Sequence, residues 1–382
     1  MMERNDEIVL SNQRRIRVAY VAVDYTVGFG GISHKINAQL RALEKGGLSC
    51  DIFFAKQKKS LFSKILRRLP LGSDGVPWNK LNIENYDAIY IRKPGYISRE
   101  FVAFLAKLRE KNKDAKIMLE IPTYPYDREL SNFFTYAQLI KDRINRKKLP
   151  QYIDQIFVCG NAEDIFGIST TGILNGIDLD RAKEKTTVCI KPDEINLVCV
   201  AAFASWHGID RMLYGMKNYE ESGGNVRITL NLLGEGPALQ SLKRLAKELG
   251  LNNRVLFYGH CDQSKMDEVY DRCTLAIASL GLHRIGLSSA STLKTREYLA
   301  KGIPFLYSGI IDVFENEPVS FCLPVEADDS PINIPKLIEF HDFIYASSSQ
   351  EEVISTIRQY AEENVSIEKT MADVVEYIWR EC

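Results

Sequence analysis

The first clear pattern of apolar and polar positions lies at residues 16–25, IRVAYVAVDY, a nearly unbroken apolar run of the kind carried by a strand buried on both faces. The period then changes. In TVGFGGISHKINAQLRALEKGG, Gly28, Gly30 and Gly31 make a loop, and Ile32, Ile36, Leu40 and Leu43 recur at helical spacing until Gly46 and Gly47 stop them. LSCDIFFA reads as the next strand. Strand, glycine loop, helix and strand make a βαβ unit, which calls for a parallel sheet with right-handed crossovers. The alternation continues through YDAIYIRK, the helix REFVAFLAKLREKNK, and the strands KIMLEIP and IDQIFVCG. After a charged, weakly apolar passage near 181–194 it starts afresh with the strand INLVCVAAF. The helix GIDRMLYGMKNYEES, the strand VRITLNLLG, the helix ALQSLKRLAKELG, RVLFYG, SKMDEVYDRC and TLAIASL follow in turn.

Two copies of one grammar in 382 residues predict two α/β domains, in keeping with roughly 150 residues per domain. The expected division is an N-terminal domain over 1–185, a C-terminal domain over 186–360, and a helix over 361–382 that could pack back on the first. Both domains are expected to be Rossmann-like parallel sheets facing a central cleft, with ligand at the carboxyl ends of the strands. Composition (45% hydrophobic, 26% charged) fits a globular protein, and a net charge of -1 gives no general argument for nucleic acid. No apolar run reaches the roughly 20 residues that span a bilayer, and MMERNDEIVLSNQRR does not read as a signal peptide. The eight cysteines form no C-x-x-C pair and read as reduced thiols of a cytoplasmic protein. With five histidines at no ligand spacing, no metal site is expected.

The loops carry the chemistry. In VGFGGISHK, glycines let the backbone approach a ligand while the amides opening a helix favour an anion. The spacing is not the dinucleotide fingerprint, so a plain βα turn reads equally well. NLLGEGPALQSLKRL sets Gly234 and Glu235 before Pro237 at a helix start, and LNGIDLDR is a turn suited to positive φ. SLGLHRIGLSSASTLKTREYLAKGIPFLYSG, at 279–309, runs from a Gly/Ser loop into a short helix with Lys294 in its first turn and Glu297 one turn later.

Taken in order, these pieces resemble family 4 of the GT-B-fold glycosyltransferases, retaining nucleotide-sugar enzymes of bacterial surface polysaccharide synthesis. The matching segments are the Gly30–Gly31 loop, NGID, HGIDRML where the family usually has K-G-x-[DE]-x-L, LLGEGPALQSLKRLAKELGL, RVLFYGH and REYLAKGIPF. They lie between about residues 16 and 310. EIPTYPYDRE, at 120–129, is similar to a capsule or O-antigen subgroup. The resemblance implies transfer of a sugar from a nucleotide-diphosphate donor, UDP favoured, to a glycan or lipid-linked acceptor, without a cofactor or required metal. It places donor contacts at Gly30, Gly31, His207, Gly234, Glu235, Ser291, Thr292, Leu293, Lys294 and Glu297, with Arg211 and Arg284 added as sources of the charge that the pattern's missing residues would supply. Helix-start amides and Lys294 would face the diphosphate, and the Glu297 carboxylate the ribose diol. Thr123, Tyr124 and Asp127 are the acceptor-side candidates; the catalytic group is unassigned, with Asp127 and His283 as candidates. The chain departs from the pattern in three places. Ser289 stands where the first glutamate of E-x7-E would be, and Ala202 and His207 stand where the phosphate-binding Arg and Lys would be.

KQKKSLFSKILRRLPLG, at 56–72, places Leu61, Phe62, Ile65, Leu66 and Leu69 on one helical face among Lys58, Lys59, Lys64, Arg67 and Arg68. This is the pattern of a segment lying on an anionic membrane surface; packing of the stripe onto the core is the alternative. A second basic run, KDRINRKKLP, occupies 141–150. The expected setting is cytoplasmic, peripherally attached to the inner membrane face. Two other readings remain open: a catalytically degenerate nucleotide-sugar-binding protein and a sugar-nucleotide epimerase. A dehydrogenase fits less well, for want of a ribose-binding acid about 20 residues after the glycine loop.

Overall fold

The computed structural model describes residues 15–24, 30–58, 60–69, 72–130, 135–160, 162–187, 189–314, 319–346 and 348–382. The chain forms two compact units: residues 1–174 with 370–382, and residues 175–369.

In unit 1 the apolar runs become strands and the 3.6-periodic segments become helices, in the order β1 (Arg17–Asp24), α1 (Gly30–Lys45), β2 (Ser49–Lys56), α2 (Leu61–Arg68), β3 (Ala88–Arg92), α3 (Arg99–Lys111), β4 (Lys116–Ile121), α4 (Tyr136–Asn145), β5 (Gln155–Cys159) and a hairpin, β6 (Asp164–Ile165) with β7 (Ile168–Ile173). The sheet runs β2-β1-β3-β4-β5-β7-β6, parallel except for the β6–β7 pair. The chain passes from β1 outward to β2 and returns on the other side to β3, so the order reverses between β1 and β3. Ile89, Ile91, Ile117, Leu119 and Ile156 are fully buried, each contributing roughly 1.5–3 kcal/mol. Ser98 caps α3 by accepting from the Phe101 amide (3.0 Å).

Unit 2 follows the same logic: β8 (Glu194–Val200), α5 (Ile209–Glu221), β9 (Arg227–Leu233), α6 (Leu239–Glu248), β10 (Val255–Gly259), α7 (Gln263–Arg272), β11 (Leu275–Ile277), a short β12 (Ser289–Ala290), α8 (Leu293–Lys301), β13 (Phe305–Ser308), a short β14 (Ile310–Ile311) and β15 (Cys322–Val325), closed by α9 (Ile334–Ala346), α10 (Gln350–Asn364) and α11 (Ile367–Thr370). The parallel order β10-β9-β8-β11-β13-β15 is that of a dinucleotide-type doubly wound sheet, and it reverses between β8 and β11. β12 and β14 pair separately. The last helix, α12 (Ala372–Glu381), belongs to unit 1. It buries Val374 and Ile378, donates from Trp379 Nε1 to the Gly46 carbonyl (2.9 Å), and pairs Glu381 with Lys116 (3.2 Å).

Candidate functional site

In an open parallel sheet the crevice beyond the strand ends, where the order reverses, is the natural ligand site. In unit 2 that crevice is built by the segments after β8 and β11. Leu280 N donates to His207 O (3.0 Å) and Gly281 N to Trp206 O (3.2 Å). The two segments approach so closely that a Cβ on Gly208, at φ +64°, would lie 2.8 Å from the Leu280 carbonyl carbon. The segment after β9 joins them: Phe203 N donates to Glu235 O (2.6 Å), and Gly234, at φ +120°, would put a Cβ 2.1 Å from Ala201 O. Gly234 and Glu235 thus shape the crevice through their backbone, while the Glu235 side chain stays exposed.

His207 is buried, and its Nδ1 accepts from the Ala204 amide (3.0 Å), which leaves the proton on Nε2. Burial, reinforced by the charge of Lys294, pushes its pKa down to about 3. His207 is therefore neutral at physiological pH and can donate a hydrogen bond but supplies no charge. The charge lies on α8. Lys294 Nζ is buried with no hydrogen-bond partner, and burial lowers its pKa, against opposing pulls from Cys199 and Glu297. Thr292, the N-cap of α8, makes no side-chain cap bond; its Oγ1 faces Thr295 Oγ1 (3.3 Å) instead. The helix start therefore presents uncapped amides beside an unpartnered amine, an arrangement suited to a phosphate. Leu293 is exposed there. One turn on, Glu297 is half-buried, and desolvation raises its pKa despite Lys301 and Tyr270.

Other expected donor contacts are committed elsewhere. Arg211 is buried, with Nε on Ser330 O (2.7 Å), Nη1 on Leu280 O and Nη2 on Asp328 (3.2 Å). It fixes the 328–330 segment rather than reaching outward. Arg284 chelates Asp210 through Nη1 and Nη2 (2.8 Å each) and also holds Asp329 (2.6 Å). His283 Nε2 shares Asp329 (3.1 Å), and its buried Nδ1 has no partner. Ser291 is tied into the NGID turn: its carbonyl accepts from Asn175 Nδ2 (2.7 Å) and its Oγ from the Asn175 amide (3.3 Å). Behind it lies a residue that sequence reasoning passed over. Arg296 is fully buried, bonded to Asn175 O (2.9 Å) and Ser291 Oγ (3.2 Å), and paired with both oxygens of Asp312 (2.6 and 2.7 Å). Its place between two helical polar residues gave no sign of this. Ser289 lies exposed on β12.

In unit 1, Gly30 and Gly31 form the first residues of α1 rather than a loop before it. Thr123 and Tyr124 are exposed, the latter edge-on to Tyr126 and Phe166. Asp127 is not free for proton transfer: Oδ2 accepts from Arg143 Nε (3.0 Å) and Nη2 (2.8 Å), Oδ1 from Arg146 (2.6 Å), and these arginines hold its carboxyl below the usual range. A second cluster, unread in the sequence, lies at the strand ends. Glu120 is fully buried, paired with Arg92 (2.7 Å) and Lys35 (3.1 Å), and bonded by Gln39 (3.0 Å) and Tyr90 (3.1 Å). Burial alone would raise its pKa, but the two cations hold it at about 2.

The α2 stripe does not pack inward. Leu61, Phe62, Ile65 and Leu69 are exposed (75, 70, 50 and 48%), and Ser63 is the buried position. Lys58, Lys64 and Arg68 are exposed beside them and Arg67 half-buried; Lys59 lies outside the described residues. No helix among the described residues is long and apolar enough to cross a membrane. Nor does any group of three described His, Cys, Asp or Glu residues form a metal-ion site.

Residues 180–306, the part of unit 2 that builds this crevice, match the family model described as Glycosyl transferases group 1. No curated protein sequence matches the chain. Among solved structures, a sucrose-phosphate synthase from Thermosynechococcus elongatus aligns over 96% of this chain and 100% of its own at 15% identity, with a TM-score of 0.63. Anabaena HepE in complex with UDP aligns over 96% and 100% at 12% identity, with a TM-score of 0.59. The lipopolysaccharide outer core galactosyltransferase WaaB aligns over 95% and 99% at 15% identity, with a TM-score of 0.56. The chain has the GT-B fold of these structures, and unit 2 carries a glycosyl transferase group 1 domain.

Proposed function

We propose, from the premise of a GT-B fold with a glycosyl transferase group 1 domain, that this protein is a nucleotide-sugar-dependent glycosyltransferase. Its donor is a nucleoside-diphosphate sugar, UDP favoured, bound at the β8–β11 crevice of unit 2. One observation carries the reading: the unpartnered Lys294 amine, buried at the uncapped start of α8, beside neutral His207 and one turn before Glu297. A diphosphate would complete all three features. Its oxygens would accept from the α8 amides and His207 Nε2, and its charge would hold the proton on Lys294. Glu297 would accept from the ribose hydroxyls; a carboxyl already raised by burial gains from two donors that favour its charged form.

In the reaction the bond from the anomeric carbon to the diphosphate oxygen breaks and a bond to the acceptor oxygen forms. We assign the acceptor proton to the leaving phosphate, with retention at the anomeric carbon, in keeping with the resemblance and with an Asp127 held as a doubly paired carboxylate. The acceptor is a glycan or lipid-linked glycan of surface polysaccharide synthesis, taken up at an anionic membrane face against which α2 lies. No cofactor or metal is assigned.

Calorimetry and thermal shift with UDP, GDP and ADP, on wild type and Glu297→Ala, test the donor site. Selective stabilisation by one nucleotide, lost in the variant, is expected; no response to any of them sinks the reading. Exposed Ser289, in place of an acid, favours a second reading in which the chain binds the nucleotide sugar without turning it over. Release of free nucleotide diphosphate in the presence of acceptor separates the two.

A further inference from the structure

Unit 1 holds a cleft of about 430 Å³ where its own sheet order reverses, lined by Val23 at the end of β1 and by Pro94, Gly95 and Tyr96 just after β3. α2 contributes Lys64, Arg67 and Arg68 to its wall, and α4 contributes Gln138. Among the described residues, neither the Lys64 ammonium nor the Arg67 guanidinium has an ion-pair partner. The one carboxylate in the lining, Asp74, is turned inward, accepting from the Val76 amide (2.9 Å), Trp78 Nε1 (2.8 Å) and Ser98 Oγ (2.5 Å). Tyr96 is 6% exposed, and its hydroxyl is buried without any hydrogen-bond partner. A cleft with two uncommitted cations and an unsatisfied buried hydroxyl suits an anion with acceptor oxygens.

The surroundings indicate what carries the anion. α2 exposes Leu61, Phe62, Ile65 and Leu69, and α4 exposes its own stripe of Tyr136, Ile140 and Ile144 at successive turns. Lys141 ties the helices together, donating from Nζ to Arg67 O (3.2 Å) and Gly72 O (2.6 Å). Arg143, Lys147 and Lys148 are exposed on the α4 side. Two apolar stripes and a ring of cations around a cationic cleft suit a molecule whose phosphate lies at a bilayer surface.

Resting on the reading of the chain as a transferase, we propose that this cleft seats the phosphate or diphosphate joining the acceptor glycan to its lipid. Lys64 and Arg67 act as counter-charges, and the Tyr96 hydroxyl orients the phosphate. The acceptor is thereby a lipid phosphate rather than a free glycan, and Tyr96 is a positioning residue for it.

The test is flotation of the full chain with phosphatidylcholine vesicles containing either phosphatidylserine or a lipid-linked diphosphosugar, matched in zeta potential. Wild type should prefer the diphosphosugar surface about tenfold, ~1.4 kcal/mol, and Tyr96→Phe and Lys64→Gln/Arg67→Gln should each bring the two surfaces level. Because the lost hydroxyl has no partner, Tyr96→Phe should melt no lower than wild type. Equal binding by wild type, or a preference that survives Tyr96→Phe, overturns the proposal. Inorganic pyrophosphate that binds the chain as tightly without vesicles overturns the lipid assignment. UDP calorimetry on the same samples keeps the two readings apart, since it reports unit 2: a lost UDP response with intact vesicle preference faults the donor site alone.

Discussion

Replacing Lys294 by methionine separates the two demands on that residue. Its Nζ is buried without a hydrogen-bond partner, so in the free protein it is a cost, and burial accordingly lowers its pKa. An unsatisfied buried polar group costs about 1–3 kcal/mol, and methionine fills nearly the same volume without it. The unliganded variant should therefore melt higher than wild type, by about 2–4 °C for each kcal/mol recovered. With nucleotide the sign reverses. A charge-assisted contact to the diphosphate is worth about 1.5–3 kcal/mol, so the variant should lose about 10- to 160-fold in affinity. At a ligand concentration of 100 times the wild-type Kd, wild type gains ~2.7 kcal/mol, whereas a variant weakened about 30-fold gains ~0.9 kcal/mol. In a thermal-shift assay this is a ligand shift of about 5–11 °C against about 2–4 °C. The reasoning fails if Lys294→Met lowers the unliganded melting temperature while the ligand shift stays intact. The amine would then serve Glu297 and the fold rather than a phosphate.

Three further outcomes follow from the same geometry. His207 has a folded pKa near 3, below the roughly 6.5 of an unfolded histidine, so the unfolded chain binds the extra proton between those values and stability falls as pH drops through 6.5. Between pH 7 and pH 5 the loss should be about 2 kcal/mol; urea titrations should show it in wild type and not in His207→Gln. Arg296→Met removes one partner of a buried ion pair and should cost about 3–5 kcal/mol by denaturant unfolding, with Asp312→Asn also destabilising. A loss under 1 kcal/mol would show that the pair is not stabilising. Gly234→Ala forces a Cβ toward Ala201 O at φ +120° and should cost about 3 kcal/mol, together with weaker nucleotide binding measured by calorimetry.

The strands were legible because the central strands of both sheets are parallel and covered on both faces, so runs such as IRVAYVAVDY and INLVCVAAF carry little polar interruption to blur them. The observed ends differ from the expected ones by up to three residues, with β1 at Arg17–Asp24 against 16–25 and β11 at Leu275–Ile277 against 274–280. The β6–β7 hairpin was not, being two and six residues long with a weak pattern. At the crevice, Lys294 and Glu297 were visible through their spacing. What the sequence does not show is whether a charged side chain is already paired. Arg211 and Arg284 were expected as donor contacts, and their partners, Asp328, Asp329 and Asp210, lie as far as 117 residues away with no local pattern to announce them. Arg296 and Glu120 were hidden for the same reason, as buried charges whose partners come from other elements. The α2 stripe was the opposite case, since its period could show that one face was apolar but not that the face would remain uncovered.

Unit 1 draws its final helix from the far end of the chain, after all of unit 2 has been made. During synthesis its sheet can assemble long before Trp379 exists to meet Gly46, or Val374 and Ile378 to be buried. A nascent chain therefore carries an uncovered apolar patch for as long as residues 175–369 take to emerge, and that patch is sealed only when residues 370–382 follow. Deleting residues 370–382 would leave unit 2 complete in sequence and still deliver a protein with an unsealed first unit. Cys382 lies against the Asp87 carbonyl at the edge of that seal.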